Sequence, residues 1–347
     1  MKYLLFLSLI GFTSADFKPR KYRIDLDLPP DQRWNQVIRE NIEVIPLIAE
    51  EAKKYIPSFI QPVVWPIARA LGNLLPRDIH EELKGISRES GLPLGEVVGL
   101  NILYDITAFD RKHILYEGCT SIVLQDKRGN IFHGRNLDYE MQDLLKSMTI
   151  YVDFVKNNTV LYSGVTFALY NGLLTGQRPN AYTVTLNERY SGAYIDNILM
   201  EFVTRFQRPV SYFIREVLES ETTFDSAVRT FSKTHLIAPC YIIVGGVKPE
   251  QGIVISRNRW SAADIYSLTP ERWYLVETNF DHWKKDDDGR RIKAMKLLDT
   301  IGKEDIDEQL LFGVLSSNPV QNNNTIYSTV LSAKYPRLLY KSLIIRV

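Results

Sequence analysis

Gly118-Cys119-Thr120-Ser121-Ile122-Val123 is the stretch that decides the fold of this chain, because it places a cysteine at the start of an apolar, β-branched run. The polar segment 126–130 follows, and a second apolar run begins at Ile131 and continues to Asp138. A turn rich in Asp, Gly and Asn between two such runs predicts a β-hairpin. The hairpin would carry a thiol at the start of one strand, and an arginine and a carboxylate near the end of the other.

These three side chains allow a reactive thiol. A thiolate forms near neutral pH when a cation or a base lies beside it, and a carboxylate can orient that base. Cys119, Arg135 and Asp138 supply those residue types. On the residues alone, a buried structural cysteine beside a surface ion pair explains the pattern equally well.

The run CTSIVLQDKRGNIFHGRNLDYE, residues 119–140, resembles the nucleophile segment of the acid ceramidase and N-acylethanolamine acid amidase family. The resemblance extends over the rest of the chain and, more loosely, over the helical part before it. It is carried in order by LNER at 186–189, IAP at 237–239, VGG at 244–246, ETNFDHW at 277–283 and NTIYST at 324–329.

The resemblance implies a lysosomal N-terminal-nucleophile hydrolase that cuts its own chain to expose an N-terminal cysteine. The implied fold is α+β: an αββα sandwich preceded by a mainly helical α chain. Residues 1–15 would be a signal peptide, residues 16–118 the α chain, and residues 119–347 the catalytic β chain. Periodicity alone does not distinguish this fold from other mixed folds.

Cys119 would then act as the nucleophile, with its own α-amine as base, because that amine has a pKa of about 7.7–8.0 in model compounds. Before cleavage, the same thiol would attack the carbonyl of Gly118, and glycine tolerates the strained backbone that this step needs. By the resemblance, Asp138 orients the amine, and Arg135 lies near the thiolate or substrate carbonyl and lowers the pKa of the thiol.

The resemblance also assigns roles further along the chain. Glu188 matches a carboxylate near the active site, and we expect it to pair with Arg135 in a pH-dependent way. Asn279 matches the asparagine that stabilises the oxyanion, since a side-chain amide donor does not titrate in the working range. Arg290-Arg291 matches a family arginine, although a solvated charge run after three aspartates explains it equally well.

Trp65 and Tyr139 are the predicted substrate-binding residues. Trp65 belongs to the helical stretch 56–75, which is apolar around much of its circumference and so is either buried or in contact with lipid. A second aromatic helix is predicted at 210–218. We expect both helices to lie at a membrane or micelle surface, with packing against each other in the core as the alternative.

No cofactor is expected, because no metal-binding or phosphate-binding motif is present in the sequence. His133 and His282 suggest a Cys-His site of the papain type, but we interpret them as structural, since the amine base removes the need for an imidazole. The 42 basic residues nearly balance the 41 acidic ones. Composition therefore gives no electrostatic reason to expect binding to nucleic acid.

The N-terminal segment and two sequons indicate passage through the secretory route. MKYLLFLSLIGFTSA has the charge, apolar run and small residues of a signal peptide. Two NxT sequons, at Asn157 and Asn323, agree with that route. The chain has two cysteines, Cys119 and Cys240. We interpret Cys240 as a buried hydrophobe, so the α and β chains would associate without a covalent link.

The predicted function is hydrolysis of an N-acylethanolamine to a free fatty acid and ethanolamine, in the lysosome or after secretion. A short connection after Asp138 and the absence of further cysteines favour this branch over ceramide hydrolysis, which is the alternative. A processed but inactive lipid-binding protein is the alternative from a different class.

Overall fold

The computed structural model describes residues 19–54, 59, 61–107, 118–139, 142–189, 209–237, 239–285 and 288–346. The predicted signal peptide lies outside these residues. The strands are β1 Lys21–Asp25, β2 Thr120–Gln125, β3 Ile131–Asp138, β4 Thr149–Lys156, β5 Thr159–Phe167, β6 Thr175–Arg178, β7 Tyr182–Glu188, β8 Cys240–Gly245, β9 Gly252–Arg257, β10 Ala262–Ser267, β11 Tyr274–Glu277, β12 Thr325–Leu331 and β13 Ile344–Ile345.

A short 3-10 helix at Pro30–Gln32 precedes the α-helices. The helices are α1 Asn35–Glu40, α2 Ile45–Lys53, α3 Gln61–Gly72, α4 Arg77–Ser90, α5 Leu94–Thr107, α6 Gln142–Met148, α7 Val210–Ser220, α8 Phe224–Lys233, α9 Arg290–Ile301, α10 Glu308–Leu315 and α11 Leu338–Ser342. The described residues before Gly118 are therefore mainly helical, as predicted. A turn at 41–44 separates α1 from α2.

The predicted hairpin is confirmed, since β2 pairs with β3 in antiparallel register with Ser121 opposite Arg135. The Asp126 carboxylate closes the turn by accepting from the backbone N–H groups of Arg128 and Asn130 at 2.9 and 2.8 Å. Gly129 adopts a φ of 78°, which glycine allows without strain. The pair sits at the centre of a five-stranded sheet in the order β11-β2-β3-β12-β13.

The second sheet has eight strands in the order β1-β4-β5-β6-β7-β8-β9-β10. Its β4–β5 hairpin turns through Asn157 and Asn158, whose φ values of 49° and 61° suit asparagine. The edge strand β1 pairs with β4 in parallel. Because β1 precedes Gly118 in sequence, the N-terminal part of the chain contributes a strand to the sheet of the remainder.

The layers form the αββα sandwich that the resemblance implies. An apolar core lies between the two sheets and includes Val123, Tyr241 and Val254. Helices α9 and α10 cover the other face of the five-stranded sheet, through residues such as Leu298 and Leu311. The other helical layer, α7 and α8, packs on the eight-stranded sheet and shares one cluster with the N-terminal helices.

Helices α3 and α5 cross closely at two glycines of α5. A Cβ on Gly95 would lie 2.3 Å from the backbone oxygen of Trp65, and one on Gly99 would lie 2.7 Å from the Trp65 ring. The ring is therefore half-buried in the crossing. The outward residues Val63 and Ile67 of α3 are 60% and 50% exposed. Within the described residues, no helix combines the length and apolar character needed to cross a membrane.

The prediction that residues 210–218 lie at a membrane surface is wrong. Tyr212 and Phe213 of α7 are 3% and 1% exposed, and both belong to the large apolar cluster over the eight-stranded sheet. The aromatic side of α7 is covered by the protein itself. Burial in the core, which was part of the alternative, holds for this segment, with strands β5 and β6 among its neighbours.

Candidate active site

Cys119 immediately precedes β2, and its side chain is buried. The backbone N–H of Asp138 donates to the sulphur, which places the thiol against the end of β3. Burial raises the pKa of the Cys119 thiol, and the Arg135 guanidinium opposes that shift. Arg135 therefore acts in the predicted direction, but burial outweighs it in the uncut chain. Cys119 and Cys240 are both free thiols, as expected.

Gly118 is required because Asn279 lies against its Cα. A Cβ at this position would lie 2.4 Å from Oδ1 and 2.7 Å from Nδ2 of Asn279. This contact gives a steric reason for glycine beside the expected one, a strained backbone, which stays a prediction. The amide predicted to stabilise the oxyanion lies beside the bond that would be cut.

Arg290 contacts the carbonyl of that bond. Its Nη1 donates to the Gly118 oxygen and, at 2.8 Å, to the Cys119 oxygen. Its Nη2 donates to Oδ1 of Asn279 at 3.0 Å. Asp288 binds the same guanidinium at 2.6 Å and fixes its orientation. A buried guanidinium at this carbonyl can stabilise negative charge on the oxygen.

Arg290 and Arg291 open α9 and are both buried, so the solvated charge run is excluded for this pair. Arg291 donates to the carboxylate of Glu277 at 3.1 Å and to the backbone oxygens of Phe280 and Asp281. It therefore holds in place the segment that carries Asn279. Burial raises the pKa of Glu277 to about 8, against the opposing effect of Arg291.

Asp138 ends β3 beside Cys119, as the hairpin predicts. Burial raises the pKa of its carboxyl to about 6, although Arg290 at 3.6 Å and the side chains of Thr325 and Asn322 oppose the shift. Asn322 donates to Oδ2 at 3.0 Å. Among the described residues, Oδ1 of Asp138 has no hydrogen-bond partner. This buried oxygen can accept from an amine released at Cys119.

Arg135 lies buried between the two sheets, fourteen residues after Ser121 on the paired strand. It donates to the side chains of Ser121 and Asn187 and to the Leu186 oxygen. Its predicted pairing with Glu188 stays a prediction. The backbone oxygen of Glu188 accepts from Nδ2 of Asn279 at 2.9 Å, which places Glu188 next to the site.

His133 sits in the same polar layer between the sheets. Its ring nitrogens contact the hydroxyls of Thr183 and Thr185, each at 2.9 Å. Burial and the nearby Arg135 lower the pKa of His133 to about 3, so the ring stays neutral in mild acid. His282 stacks on Tyr266 with ring centroids 4.1 Å apart. These contacts agree with the interpretation of both histidines as structural.

The two predicted substrate-binding residues occupy different places. Tyr139 directly follows Asp138 and is half-buried, with its N–H donating to the Asn324 oxygen at 3.0 Å. Trp65 lies in the α3–α5 crossing described above. Both assignments remain predictions.

The sequence did not assign two residues of this site, Arg290 and Asn187. Arg290 was open between two interpretations, and its match to a family arginine was the available signal. Asn187 was part of the motif 186–189, in which the carboxylate of Glu188 drew the functional assignment. An asparagine inside a strand carries no local signal of its own, and its contacts emerge from the packing of the two sheets.

Comparison with known proteins supports the same chemistry. Residues 119–297 match the family model described as linear amide C–N hydrolases, choloylglycine hydrolase family. Residues 17–75 match a model described as the beta subunit of N-acylethanolamine-hydrolyzing acid amidase. That description falls on the segment before Gly118, which is the α chain in our naming.

Among its relatives, the chain is 57% identical to the N-acylethanolamine-hydrolyzing acid amidase of Caenorhabditis elegans, with 97% of this chain and 95% of that one covered. It is 39% identical to the Oryctolagus cuniculus protein of the same name, with coverage of 94% and 90%. Acid ceramidase of Homo sapiens is 35% identical, with coverage of 89% and 82%.

A solved structure, that of the Caenorhabditis elegans N-acylethanolamine-hydrolyzing acid amidase ortholog, matches with a TM-score of 0.62 at 58% identity. The match covers 66% of this chain and 100% of that chain. Together with the buried thiol, the guanidinium at the Gly118 carbonyl and the αββα layers, these similarities identify the chain as an amide hydrolase. It belongs to the linear amide C–N hydrolase family, in the group formed by the N-acylethanolamine-hydrolyzing acid amidases and acid ceramidases.

Proposed function

We propose that this chain is a self-processing cysteine amidase that hydrolyses N-acylethanolamines to a free fatty acid and ethanolamine in the lysosome. The observation that carries the proposal is the contact of the Arg290 guanidinium with the Gly118 carbonyl, immediately before the buried Cys119 thiol. One cation thus faces the carbonyl that the neighbouring thiol would attack. Cleavage there would free the α-amine of Cys119.

In self-cleavage, the Cys119 sulphur bonds to the carbonyl carbon of Gly118 and the carbon–nitrogen bond breaks. The nitrogen leaves as an amine, so it needs a proton. The Asp138 carboxyl, with a pKa of about 6, gives that proton below neutral pH, and the thiol proton replaces it. Water then hydrolyses the thioester and releases the Gly118 carboxylate and the thiol.

In substrate hydrolysis, the freed α-amine takes the thiol proton and the sulphur attacks the amide carbonyl. The amine product leaves with that proton, and water hydrolyses the acyl-thioester to the fatty acid. Oδ1 of Asp138, unpartnered among the described residues, accepts from the amine and orients it. Departure of the segment ending at Gly118 leaves the Arg290 guanidinium and the Asn279 amide to bind the substrate oxyanion.

Two observations support a two-chain enzyme. The solved relative covers 66% of this chain and all of its own length, and residues 119–347 make up that same fraction of the sequence. The segment before Gly118 matches a model described as a subunit. Each piece contributes to one sheet through β1 and β4. We propose that the pieces stay associated without a disulfide.

The substrate assignment follows the relatives. The N-acylethanolamine-hydrolyzing acid amidases above share 57% and 39% identity with the chain, and acid ceramidase shares 35%. Ceramide is the second candidate on that last similarity. The lysosomal location is supported by the acidic pKa of Asp138 and by the exposed positions of the sequon residues Asn157 and Asn323.

Contact with a lipid surface is supported by the apolar residues on the outside of α3. Val63 and Ile67 are half-exposed or more, and Phe59 and Leu74, before and after the helix, are 81% and 57% exposed. Long-chain amides partition into bilayers or micelles, so a protein that hydrolyses them must reach that surface. A helix with an exposed apolar face can lie at it.

The test compares hydrolysis of palmitoylethanolamide with that of a long-chain ceramide by acid-treated wild type and by Cys119→Ala. We expect faster release of fatty acid from palmitoylethanolamide at acid pH, and no release by the variant. Preferential hydrolysis of ceramide would select the second candidate. Equal activity of Cys119→Ala and wild type would remove the thiol from the mechanism.

A further inference from the structure

Asn187, the residue before the end of β7, lies at the point where the two sheets meet behind Cys119. It is fully buried. Its Oδ1 accepts from Nη1 of Arg135 and, at 2.9 Å, from the hydroxyl of Ser121. The guanidinium that opposes the raised pKa of the Cys119 thiol is therefore held by this amide oxygen.

The amide nitrogen of Asn187 contacts the backbone next to Asn279 and the backbone of Cys119. Its Nδ2 donates to the backbone oxygens of Glu277 and Thr278 at 3.0 and 2.9 Å, and lies 3.4 Å from the Cys119 oxygen. Thr278 directly precedes Asn279. Because all three neighbours are carbonyl oxygens, they fix which end of the amide carries the donors.

We propose that Asn187 is a positioning residue for amide hydrolysis, acting through Arg135 on the thiol and through the 277–278 backbone on Asn279. The proposal rests on the proposed function, in which Cys119 is the nucleophile. It deepens that function by naming the side chain that sets the distance between the cation beside the thiol and the amide beside the oxyanion. A rigid link of this kind preserves a reactive geometry that loop contacts alone leave loose.

An amide is the group that these contacts require. A carboxylate of the same shape would keep the acceptor for Arg135, but would place negative charge beside that guanidinium and against three carbonyl oxygens. Paired with a carboxylate, Arg135 would stabilise the thiolate less. A hydroxyl is too short to reach both sides. Two substitutions therefore test different properties of this side chain. Asn187→Asp changes its charge and keeps its shape, whereas Asn187→Ser makes it too short to contact both sides.

The experiment uses cleaved enzyme and measures kcat, KM, melting temperature and the pH dependence of alkylation of Cys119 by iodoacetamide. Asn187→Asp should lower kcat about 10-fold to 100-fold with KM changed less than about threefold, as outer-shell partners of reactive groups typically do. It should also move the alkylation midpoint upward by about one pH unit or more. Asn187→Ser should lower kcat with a smaller shift of the midpoint.

Thr185→Val is the matched control, because Thr185 is buried on the same strand and the same face, two residues away. Its hydroxyl bonds to Ser121 and His133, at 2.8 and 2.9 Å. Among the described residues, it has no hydrogen bond to Arg135 or to the 277–278 backbone. It should lower the melting temperature while leaving the alkylation midpoint in place. If Asn187 had only a structural role, its variants would likewise lower the melting temperature and leave the alkylation midpoint unchanged.

Two results would overturn the proposal: an unchanged kcat and alkylation midpoint in both Asn187 variants, or failure of both to fold while Thr185→Val folds. If a folded Asn187 variant does not cut itself, its loss of self-cleavage is a loss of the same thiol's reactivity and supports the proposal. A wild type that alkylates but hydrolyses no amide would refute the proposed function, and the alkylation midpoints would still test Asn187.

Discussion

Gly118 and Asn279 are in contact so close that no side chain fits between them: a Cβ on Gly118 would lie 2.4 Å from Oδ1 of Asn279. The Asn279 amide is held from its other side by the backbone oxygen of Glu188 and by Arg290, so it cannot withdraw without losing both hydrogen bonds. The bond to be cut is thus packed directly against the amide proposed to stabilise its oxyanion.

Gly118→Ala should therefore slow self-cleavage strongly and destabilise the uncut chain by about 1–3 kcal/mol, the usual range for overpacking. Asn279→Ala removes the three atoms that the new methyl group would meet. In that background, Gly118→Ala should cost little stability, although cleavage stays slow. Melting curves of the four proteins give the coupling energy. Additive losses of stability would contradict the predicted contact.

Asp138 should set the pH dependence of self-cleavage. Its folded-state pKa of about 6 is raised from 3.8, so the protonated carboxyl is favoured in the uncut fold. The protonated carboxyl contributes its full stabilisation of the uncut fold below pH 3.8, its pKa in the unfolded chain. That stabilisation is lost as pH rises through about 6. Self-cleavage should accelerate as pH falls through the same region, because the protonated form supplies the proton to the leaving nitrogen.

Asp138→Asn is the test of that assignment. Asparagine keeps the shape of the side chain and cannot transfer the proton, so cleavage should be slow at every pH and its midpoint near 6 should disappear. Cleavage is followed on denaturing gels after transfer to buffers of different pH. A variant that cuts itself with the wild-type pH profile would assign the midpoint to another group.

The hairpin and the proximity of Cys119 to Asp138 were within reach of the sequence, because turn chemistry and strand pairing are local. The αββα layers were expected from the resemblance alone, since periodicity does not distinguish them from other mixed folds. The burial of Arg290, by contrast, could not be predicted from the sequence. It follows three aspartates in sequence, and a run of charges reads as solvated unless the packing of α9 against the five-stranded sheet is known. Its contact with the Gly118 carbonyl joins residues 172 positions apart.

Helices α3 and α7 show that the sequence also could not predict which apolar helix faces are exposed. Both are apolar and aromatic, and periodicity indicates that such a helix has an apolar face without telling what covers it. In α7 that face is buried by the eight-stranded sheet, whereas in α3 Val63 and Ile67 point outward. The Trp65 ring itself is half-buried, because Gly95 and Gly99 let α5 approach it closely.

The two cleaved pieces should remain together at acid pH through Glu82. This buried carboxylate of α4 accepts from Arg215 of α7 at 2.7 Å and from the Trp34 indole at 2.9 Å. Burial pushes its pKa up, but Arg215 and Trp34 hold the pKa below the ordinary value. Its stabilising contribution is therefore lost only as pH falls through that lowered pKa, and so it persists in mild acid.

Glu82→Gln should leave the Arg215 charge uncompensated, at a cost of about 3–5 kcal/mol, and should promote dissociation of the pieces. Glu81→Gln, which loses an exposed pair with Lys84, should change the unfolding free energy by less than about 1 kcal/mol. Size-exclusion chromatography of cleaved protein at acid pH measures the association. Wild-type pieces that stay joined on a denaturing gel without reductant would show a covalent link.

The final prediction concerns the outside of α3, which we expect to bind lipid surfaces. Val63 and Ile67 are four residues apart and so lie on one face of the helix. Burial of a valine or isoleucine side chain in an apolar phase contributes roughly 1.5–3 kcal/mol. Val63→Asp with Ile67→Asp should therefore reduce binding to anionic vesicles by about tenfold or more, while self-cleavage continues, because neither side chain packs in the core.

These positions make a cleaner test than Trp65 and Val64, which are half-buried, since an aspartate at Trp65 would disrupt the contact with Gly99. Ile265→Asp is the matched control: Ile265 is 48% exposed on the edge strand β10, away from α3 in the sequence. Flotation of each protein with vesicles at acid pH measures binding. If the double variant and the control float equally with wild type, the outside of α3 has no part in lipid contact and the substrate must reach Cys119 by another surface.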